Sequence, residues 1–543
     1  MSMFRFPLMF AALALLSSPA YSQSFTLGGT VKDSVTALGI DSVKIEMFDP
    51  VQPASVWTAY TNASGQWSYT VTSVHEDEAV PQGFALHQNY PNPFNPSTML
   101  AFSLSAGGAV TVSVHTVLGQ RIAERTFDLA PGAYRVPWNG AGAAGTYFYT
   151  VRYGGRSYTR KMVQLDGAHA AGGFGEPVQS GSFLSAPLGK RGITDVTLRF
   201  SRLGYEPDSL TLPAASNQAL AQTLTTVHHR ALVFDLHNDI AELMVDGYQM
   251  GTLHTSNQSD IPRFRTGGVD AQMFVLWPDP NSFPSGFART KQMYDTVMAQ
   301  VARNASAIAV AKNTAELHSV LASGRIAAVL CVEGGTAIDE SLEKLKTLYS
   351  YGARYMTITW NNSFSWAVAA ADAQSATKGL SDFGKDVIRT MDTLGMLIDV
   401  SHTGIKTIDD ILTVTKNPII ASHSGARTLR NHTRNLTDAQ LQAIAASGGV
   451  VGVVFHRTFI TSTSTATIDT VMKHIDYIKN LVGVDHVAVG SDYDGGITPP
   501  VGLENVSKLP ALTMAMFRRG YTKEEVKKIL GGNYLRVFTQ VCK

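Results

Sequence analysis

The C-terminal part of the chain, from about residue 231 to residue 543, alternates short apolar runs with helical patterns. Eight apolar runs are strand candidates, and they cover residues 233–239, 271–277, 327–333, 355–360, 397–402, 418–423, 450–455 and 486–492. Helical patterns lie between most of them, for example over 339–351, 379–394 and 467–481. This alternation predicts an α/β fold with parallel strands. Two architectures fit the pattern, a (β/α)8 barrel and a doubly wound open sheet.

The polar residues at the ends of the candidate strands favour the barrel. His237 and Asp239 stand two apart at the end of the first candidate, so strand alternation puts both side chains on one face. Metal-competent side chains also end the third, fifth, sixth and eighth candidates. The six residues of this set are His237, Asp239, Glu333, His402, His423 and Asp492. Because barrel enzymes build their sites at the carboxyl ends of the strands, the sequence predicts a TIM-barrel catalytic domain with its site at that rim.

These six side chains are suited to a metal centre. A single histidine at a strand end is usually a structural residue, and a single acid there often caps the next helix. The placement of all six at one end of the barrel weakens that reading. Neutral imidazole and carboxylate are good ligands for zinc and similar divalent ions. Three histidines and three acids exceed the needs of one tetrahedral zinc ion, so we expect two metals that share a carboxylate.

The N-terminal residues predict export. Residues 1–22 have the layout of a secretory signal peptide, with one arginine before a short apolar run and small residues at the cleavage site. No other stretch predicts a transmembrane span.

Cys331 and Cys542 are the two cysteines, which excludes a disulfide framework. The formal net charge is +1 without long basic runs, and this argues against nucleic acid as a partner.

Short alternating strands broken by turns follow the signal peptide, over residues 24–75. This stretch resembles the small β-sandwich modules related to the carboxypeptidase regulatory domain. Such modules often close with a pattern like Phe200-Ser-Arg-Leu-Gly-Tyr-Glu-Pro207, which comes here only after about 115 intervening residues. We therefore predict one sandwich that is split between residues 24–75 and 192–226.

The insertion in this sandwich, residues 82–165, has a composition of its own. It contains Asn89-Tyr-Pro-Asn-Pro-Phe-Asn-Pro-Ser-Thr98, Val117-Leu-Gly-Gln120 and Gly145-Thr-Tyr-Phe-Tyr149. These segments resemble the C-terminal sorting tails of type IX secretion substrates. The resemblance implies the type IX secretion machinery as a partner, and the periplasm, cell surface or medium of a Gram-negative bacterium as the location. In that family the tail ends the chain, whereas here it is internal, so a sorting role and an inert β-module both stay open. The Gly/Ala/Ser-rich residues 166–191 are predicted to be a flexible linker.

Six segments of the remaining domain, residues 227–543, carry a closer resemblance. They are Asp235-Leu-His-Asn-Asp239, Val332-Glu-Gly-Gly335, Leu380-Ser-Asp-Phe-Gly384, Leu397-Ile-Asp-Val-Ser-His402, Ser422-His-Ser424 and Gly490-Ser-Asp-Tyr-Asp-Gly495. In this order they resemble the motifs of the membrane (renal) dipeptidase family. The resemblance implies a TIM barrel of the metallo-dependent hydrolase type and the hydrolysis of dipeptides by a hydroxide that bridges two zinc ions per chain.

The resemblance also assigns roles to matching positions. The matching metal ligands are His237 and Asp239 for one zinc ion, His402 and His423 for the second, and Glu333 as the bridge. Asp492 matches the acid that carries the proton, and Arg434 matches the residue that grips the substrate's carboxylate. Trp360 stands where mammalian members have a substrate-facing histidine. We expect Trp360 to line the pocket, on the same side of its strand as Ile358 by alternation.

Members of that family often act as homodimers, and the sequence leaves the oligomeric state open. Two other functions are also open. The nearer alternative is another amidohydrolase-type metal hydrolase, such as a lactonase or a deaminase. Phosphotriesterase-like enzymes commonly bridge their metals with a modified lysine of the fourth strand, where this chain has Trp360, and this argues against them. The farther alternative is a catalytically inactive surface-binding protein, against which the retention of five ligand positions argues.

Overall fold

The structure is a computed structural model. It describes residues 24–49, 52–72, 83–90, 92–94, 97–140, 143–164, 173–180, 195–213 and 218–543. The chain divides into two compact units, Met1–Arg202 with Pro207–Leu224 and Leu203–Glu206 with Thr225–Lys543. The predicted signal peptide, residues 1–22, lies outside the described residues, as does most of the predicted linker.

The N-terminal unit is built from β-strands. They are β1 (Ser24–Asp33), β2 (Lys44–Asp49), β3 (Gln52–Tyr60), β4 (Gln66–Thr72), β5 (Ala85–Leu86), β6 (Ser97–Leu104), β7 (Gly108–Thr116), β8 (Arg121–Leu129), β9 (Gly132–Asn139), β10 (Gly145–Tyr153), β11 (Arg156–Gln164), β12 (Gly173–Phe174), β13 (Val178–Ser180), β14 (Asp195–Ser201), β15 (Asp208–Pro213) and β16 (Gln218–Leu224).

These strands form four sheets. Two of them, β16-β1-β4 and β15-β14-β2-β3, combine strands from both sides of the insertion. The rings of Trp67 on β4 and Phe200 on β14 meet edge to face across these two sheets, with centroids 6.3 Å apart. The other two, β11-β10-β7-β8 and β12-β9-β6-β5, with β13 beside β9, belong to the insertion and share one apolar core. The predicted domain boundaries and the likeness to the carboxypeptidase regulatory domain remain predictions.

The C-terminal unit contains a parallel sheet that is nearly closed. Its strands are β17 (Phe234–Asn238), β18 (Ala271–Leu276), β19 (Ile308–Val310), β20 (Ile326–Glu333), β21 (Ala353–Thr357), β22 (Leu397–Asp399), β23 (Ile419–Ser424), β24 (Val450–Val453) and β25 (Val487–Val489). Eight of them pair in sequential order, and β19 pairs outside this path, beside β20. The first strand meets the loop that follows the eighth, where the Asp492 amide donates to the His237 carbonyl at 3.1 Å. Sequential order without a switch point confirms the predicted (β/α)8 barrel and excludes the doubly wound sheet.

Helices follow most of the barrel strands. They are α1 (Val227–Arg230), α2 (Ile240–Val245), α3 (Ile261–Thr266), α4 (Gly286–Arg303), α5 (Thr314–Ala322), α6 (Leu342–Tyr351), α7 (Asp382–Leu394), α8 (Ile405–Val414), α9 (Asp438–Ala446), α10 (Arg457–Ile460), α11 (Ile468–Val482), α12 (Leu509–Arg518), α13 (Lys523–Lys527) and α14 (Asn533–Val541). Local sequence explains their ends: α7, for example, begins after the N-cap Ser381 and stops at Gly395, which takes a left-handed φ of 75°. Within the described residues, every helix is too short or too polar to cross a membrane.

Two apolar clusters hold the barrel together. One contains alternate residues of the strands, for example Val329 and Cys331 of β20, together with Tyr534 and Phe538 of α14. The other contains the intervening strand residues and the buried faces of the surrounding helices. Both cysteines are buried as free thiols in the first cluster.

Three strands end three residues earlier than the sequence predicts. The predicted fourth, fifth and eighth strands run to Trp360, His402 and Asp492, whereas β21, β22 and β25 end three residues sooner. His402 and Asp492 take left-handed φ values of 64° and 63°, which a strand cannot accommodate. These three side chains therefore project from the loops that follow the strands.

Candidate metal centre

Glu333, the last residue of β20, lies between two groups of buried side chains. Its Oε1 is 3.0 Å from Nε2 of His402 and 3.6 Å from Nε2 of His423. Its Oε2 is 3.5 Å from Nε2 of His237. One carboxylate therefore offers one oxygen atom to each group, which is the arrangement required of a ligand that bridges two metal ions.

The second group is completed by two acids. Nε2 of His237 lies 3.5 Å from Oδ2 of Asp239 and 3.9 Å from Oδ1 of Asp492. Two triads have ligand atoms that all lie within 4.8 Å of one another, namely His237 with Glu333 and His423, and His237 with Asp239 and Asp492. The barrel thus brings together all six side chains that the sequence singled out at the rim.

Hydrogen bonds fix the tautomer of each histidine in this centre. Nδ1 of His423 is 2.8 Å from Oγ of Ser422, whose hydroxyl donates to Asp399, so the imidazole must be the donor to Ser422. Nδ1 of His237 is 2.9 Å from Oη of Tyr355, whose hydroxyl donates to a backbone carbonyl. Each Nδ1 therefore carries the proton, and each Nε2 presents a lone pair to the centre.

His402 has the same tautomer, which is fixed by a different partner. Its Nδ1 is 2.9 Å from Oδ1 of Asn361, which accepts the proton. Its Nε2 lies only 3.0 Å from Nε2 of His423, as well as 3.0 Å from the carboxylate of Glu333. Three acceptor atoms that converge in this way repel one another unless a cation lies among them.

Unpartnered atoms support the same conclusion. Nε2 of His237 and Oδ2 of Asp239 are buried and have no hydrogen-bond partner within the part of the chain that the structure describes. Leaving such atoms unpaired costs about 1–3 kcal/mol each, and more for charged groups. Metal ligation satisfies these atoms, so the residues present fit a centre of two divalent ions.

The charge balance of the centre also calls for cations. Burial lowers the pKa of His402 to about 3 and that of His423 well below its usual value, and the charge of Arg434 acts in the same direction. Both imidazoles are therefore neutral, as metal ligation requires. At His237, burial lowers the pKa, but the carboxylates of Asp239 and Glu333 outweigh it and raise the pKa to about 10. This group of acids therefore favours a positive charge at Nε2, from a proton or from a metal ion.

Asp492 combines a raised pKa with an unusual backbone conformation. Burial raises its pKa to about 7. The negative charge of Glu333 also raises this pKa, whereas His237 lowers it. Its left-handed backbone conformation costs about 1 kcal/mol or more, and such conformations cluster at active sites. Gly495 leaves room for its carboxylate, because a Cβ there would lie 2.8 Å from Oδ1 of Asp492 and 2.6 Å from Oδ2 of Asp239.

Arg434 is a buried cation beside the centre. One nitrogen, Nη2, donates to the backbone carbonyl of His423 at 3.2 Å. Nε and Nη1 have no hydrogen-bond partner among the described residues. Burial lowers the pKa of Arg434 to about 10, and the charges of Asp492, Glu333 and Asp399 oppose that change. A charged guanidinium with unpaired N–H groups is suited to bind a carboxylate.

Trp360 lies beside His402, with ring centroids 6.2 Å apart. Its closer ring neighbour is Trp277, which follows β18, at 4.8 Å. The indole N–H of Trp277 is buried without a partner in the described structure. Ile358, by contrast, belongs to the cluster between the strands and the helices. Trp360 does not share the surroundings of Ile358, because β21 ends at Thr357 and strand alternation no longer applies.

The sequence did not indicate the residues that orient the ligands. Tyr355, Asn361, Ser422 and Asp399 hold the three imidazoles, directly or through one another. Ser422 and Asp399 lie inside the quoted motifs, but a motif does not show which neighbour a side chain bonds. Asp399 is fully buried and also accepts from Thr357 at 2.5 Å and from two backbone amides.

Comparison with known proteins adds to this picture. Residues 88–164 match the secretion system C-terminal sorting domain. Among solved structures, the dipeptidase AC, a metallo peptidase of family M19, is 26% identical over 57% of this chain and 99% of its own, with a TM-score of 0.54. A metallo peptidase from Rhodobacter sphaeroides, solved with a phosphinate mimic of the dipeptide L-Ala-D-Ala, has the same identity, coverage and TM-score.

The probable dipeptidase PvdM from Pseudomonas aeruginosa is 22% identical over 58% of this chain and 96% of its own, with a TM-score of 0.55, and shares the fold. The family that matches residues 221–543 is described as membrane dipeptidase, peptidase family M19. This match covers more than half of the chain, and the chain therefore belongs to the membrane dipeptidase family.

Proposed function

We propose that this protein is an exported dipeptidase that uses two zinc ions. The observation that carries the proposal is the position of Glu333, with Oε1 towards His402 and His423 and Oε2 towards His237. Membership of the membrane dipeptidase family supports dipeptides as substrates and a dependence on metal.

The residues that would hold the metals are five buried side chains. They are His237 and Asp239 for one ion, His402 and His423 for the other, and Glu333 for both. Imidazole with carboxylate is a ligand set that zinc accepts readily. When bound, the ions would lower the pKa of a coordinated water towards neutrality and polarise the scissile carbonyl.

Asp492 is proposed to carry the proton. Burial raises the pKa of Asp492, so its carboxylate takes up a proton more readily than an exposed one, which suits a general acid–base. Its carboxylate lies 3.9 Å from Nε2 of His237, so it borders the centre. Asp492 would remove the proton from the attacking water and deliver it to the leaving amine.

Arg434 and Trp360 are proposed to bind the substrate. The unpaired N–H groups of Arg434 would bind the C-terminal carboxylate of a dipeptide, which excludes internal peptide bonds of long chains. Trp360, with Trp277 behind it, would form an apolar wall next to His402. A homodimer, which is frequent in this family, remains a prediction for this protein.

The location of the protein is proposed from its N-terminal half. The match of residues 88–164 to a secretion sorting domain supports a secreted or cell-surface protein, and the predicted signal peptide supports export. We propose the type IX secretion machinery as the partner that reads this domain. A variant without residues 88–164 should then stay within the cell envelope of the producing bacteria. Immunoblots of culture medium and cell fractions measure this.

Metal analysis combined with a dipeptide screen tests the proposed activity. Under metal-replete conditions, we expect two zinc-class ions per chain and hydrolysis of dipeptides with a free carboxyl terminus. A variant with Glu333→Gln should lose metal and activity together, whereas Glu343→Gln, an exposed glutamate on α6, should change neither. Fewer than two ions per chain, or no hydrolysis of any dipeptide, would contradict the proposal.

A further inference from the structure

Next to the metal centre, on the side of Arg434, the loops after β23 and β24 form a basic corner. We use this name for Arg430, His432, Arg434 and His456, with the ring of Phe459 between them. The Phe459 ring lies 4.1 Å from the ring of His456, 4.7 Å from that of His432 and 5.3 Å from the guanidinium carbon of Arg434. A single aromatic ring therefore holds these polar groups close together.

Both imidazoles of the basic corner present hydrogen-bond donors. Nδ1 of His432 accepts from the backbone amide of Arg434 at 3.2 Å, and Nδ1 of His456 accepts from the backbone amide of Thr458 at 3.3 Å. A nitrogen that accepts from an amide carries no proton, so the proton of each neutral ring is on Nε2. Burial and the charge of Arg434 lower the pKa of His456 to about 4, which keeps this ring neutral at pH 7.

The neighbouring arginines are held by neutral acceptors. Nε of Arg430 donates to the carbonyl of Thr458 at 3.2 Å, and Nη1 of Arg457 donates to the carbonyl of Thr463 at 3.2 Å. Arg427 donates to the carbonyls of Asn435 and Thr433. Backbone carbonyls fix these side chains without neutralising them, so the corner keeps a positive potential.

Such a lining suits an anion. Arg434 can bind one carboxylate, and the rings of His432 and His456 contact the same Phe459 ring that Arg434 does. Arg430 lies in the same loop as His432, with its Nε bonded to the carbonyl of Thr458. A second carboxylate only accepts hydrogen bonds and carries negative charge, so it matches a surface of donors. A side-chain amide has the same shape, but its NH₂ group needs acceptors that donors do not supply.

We infer that the basic corner is a second anion subsite, which selects dipeptides whose C-terminal residue has an acidic side chain. This inference rests on the proposed function and specifies its substrate class. The main-chain carboxylate pairs with Arg434, and the Asp or Glu side chain of the same residue reaches His432, His456 and Arg430.

The test compares substrates that differ only in charge. The metal-loaded full-length enzyme is assayed on Ala-Asp against Ala-Asn and on Ala-Glu against Ala-Gln, with both stereoisomers of the second residue. We expect kcat/KM to favour the acid over the amide by about tenfold or more in at least one pair, which corresponds to about 1.4 kcal/mol. Arg430→Gln and His456→Phe should each lower this ratio towards one.

Arg389→Gln provides the matched control, because Arg389 is an exposed arginine of α7 paired with Asp386 at 2.8 Å. It should leave the ratio unchanged. If either subsite variant fails to fold by circular dichroism, the wild-type ratios and the other variant still decide. Ratios near or below one in wild type, with ordinary hydrolysis of Ala-Ala, overturn the subsite and leave the proposed function standing. Absence of hydrolysis for every dipeptide would instead refute the proposed function, and the subsite with it.

Discussion

Replacement of Asp492 by Asn tests the proposed proton carrier with little change in shape. Asp492 is buried, its φ is 63°, and Asn tolerates this left-handed conformation as well as Asp does. The substitution therefore removes the titratable proton without adding backbone strain. Asn also keeps an oxygen atom towards the centre, so the five proposed metal ligands are untouched.

The size of the effect follows from the role. A general acid–base contributes about 10²–10⁴-fold in rate, or about 3–5 kcal/mol. Burial and the negative charge of Glu333 raise the pKa of Asp492, which helps its carboxylate to take up a proton. We therefore expect Asp492→Asn to lose about 10²–10⁴-fold in kcat on a free dipeptide at pH 7, with two metals retained.

The assay needs kcat, metal content and a control. Asp494→Asn is matched, because Asp494 is also buried, lies in the same loop and has a φ of 66°. Its Oδ1 accepts from the backbone amide of Gln258 at 2.7 Å, which an Asn oxygen can replace. This variant should keep kcat within a few-fold. If Asp492→Asn lost one metal, Asp492 would be a ligand, and if it kept full turnover, another group would carry the proton.

Three further predictions concern single side chains. Arg434→Lys keeps the charge but loses the two-pronged donor, so KM for free dipeptides should rise at least about tenfold more than KM for their C-terminal amides. Equal effects on both classes would refute the carboxylate clamp. Trp360→Ala should change the order of preference in a panel of dipeptides, because it opens the wall formed with Trp277. A lower melting temperature with unchanged preference would show that Trp360 only packs. Asp270 accepts from the amide of Val233, and burial raises its pKa to about 6, so its contribution to stability is present below about pH 4 and is lost as pH rises through 6. Asp270→Asn should therefore stabilise the protein more at pH 8 than at pH 4, and the difference in the free energy of unfolding should reach up to about 3 kcal/mol. Melting temperatures at the two pH values measure this difference, and an equal shift at both would contradict this reasoning.

The sequence by itself determined the barrel and the residues of its rim. A parallel strand that is buried on both faces appears as a continuous apolar run, and all eight predicted runs overlap a barrel strand. His237 and Glu333 could be placed because they stand at or next to the end of such a run. The three-residue strand β19, which pairs outside the path of the eight strands, was not predicted.

The exact ends of the strands depended on the tertiary structure. His402 and Asp492 have positive φ values, although neither is glycine, and nothing in the residue type announces this conformation. Hydrogen bonds from neighbouring strands stabilise it, for example the one from the Asp492 amide to the His237 carbonyl, across about 255 residues of sequence.

The tertiary structure alone also decided how the metal centre is oriented. His237 is held by Tyr355 and His402 by Asn361, partners that are 118 and 41 residues away in sequence. Sequence periodicity describes the faces of a single strand or helix, so it cannot show which side chains of different strands meet. The tautomers, the unpartnered atoms and the aromatic pair of Trp277 with Trp360 arise from barrel closure, because closure alone sets the distances between loops that follow different strands.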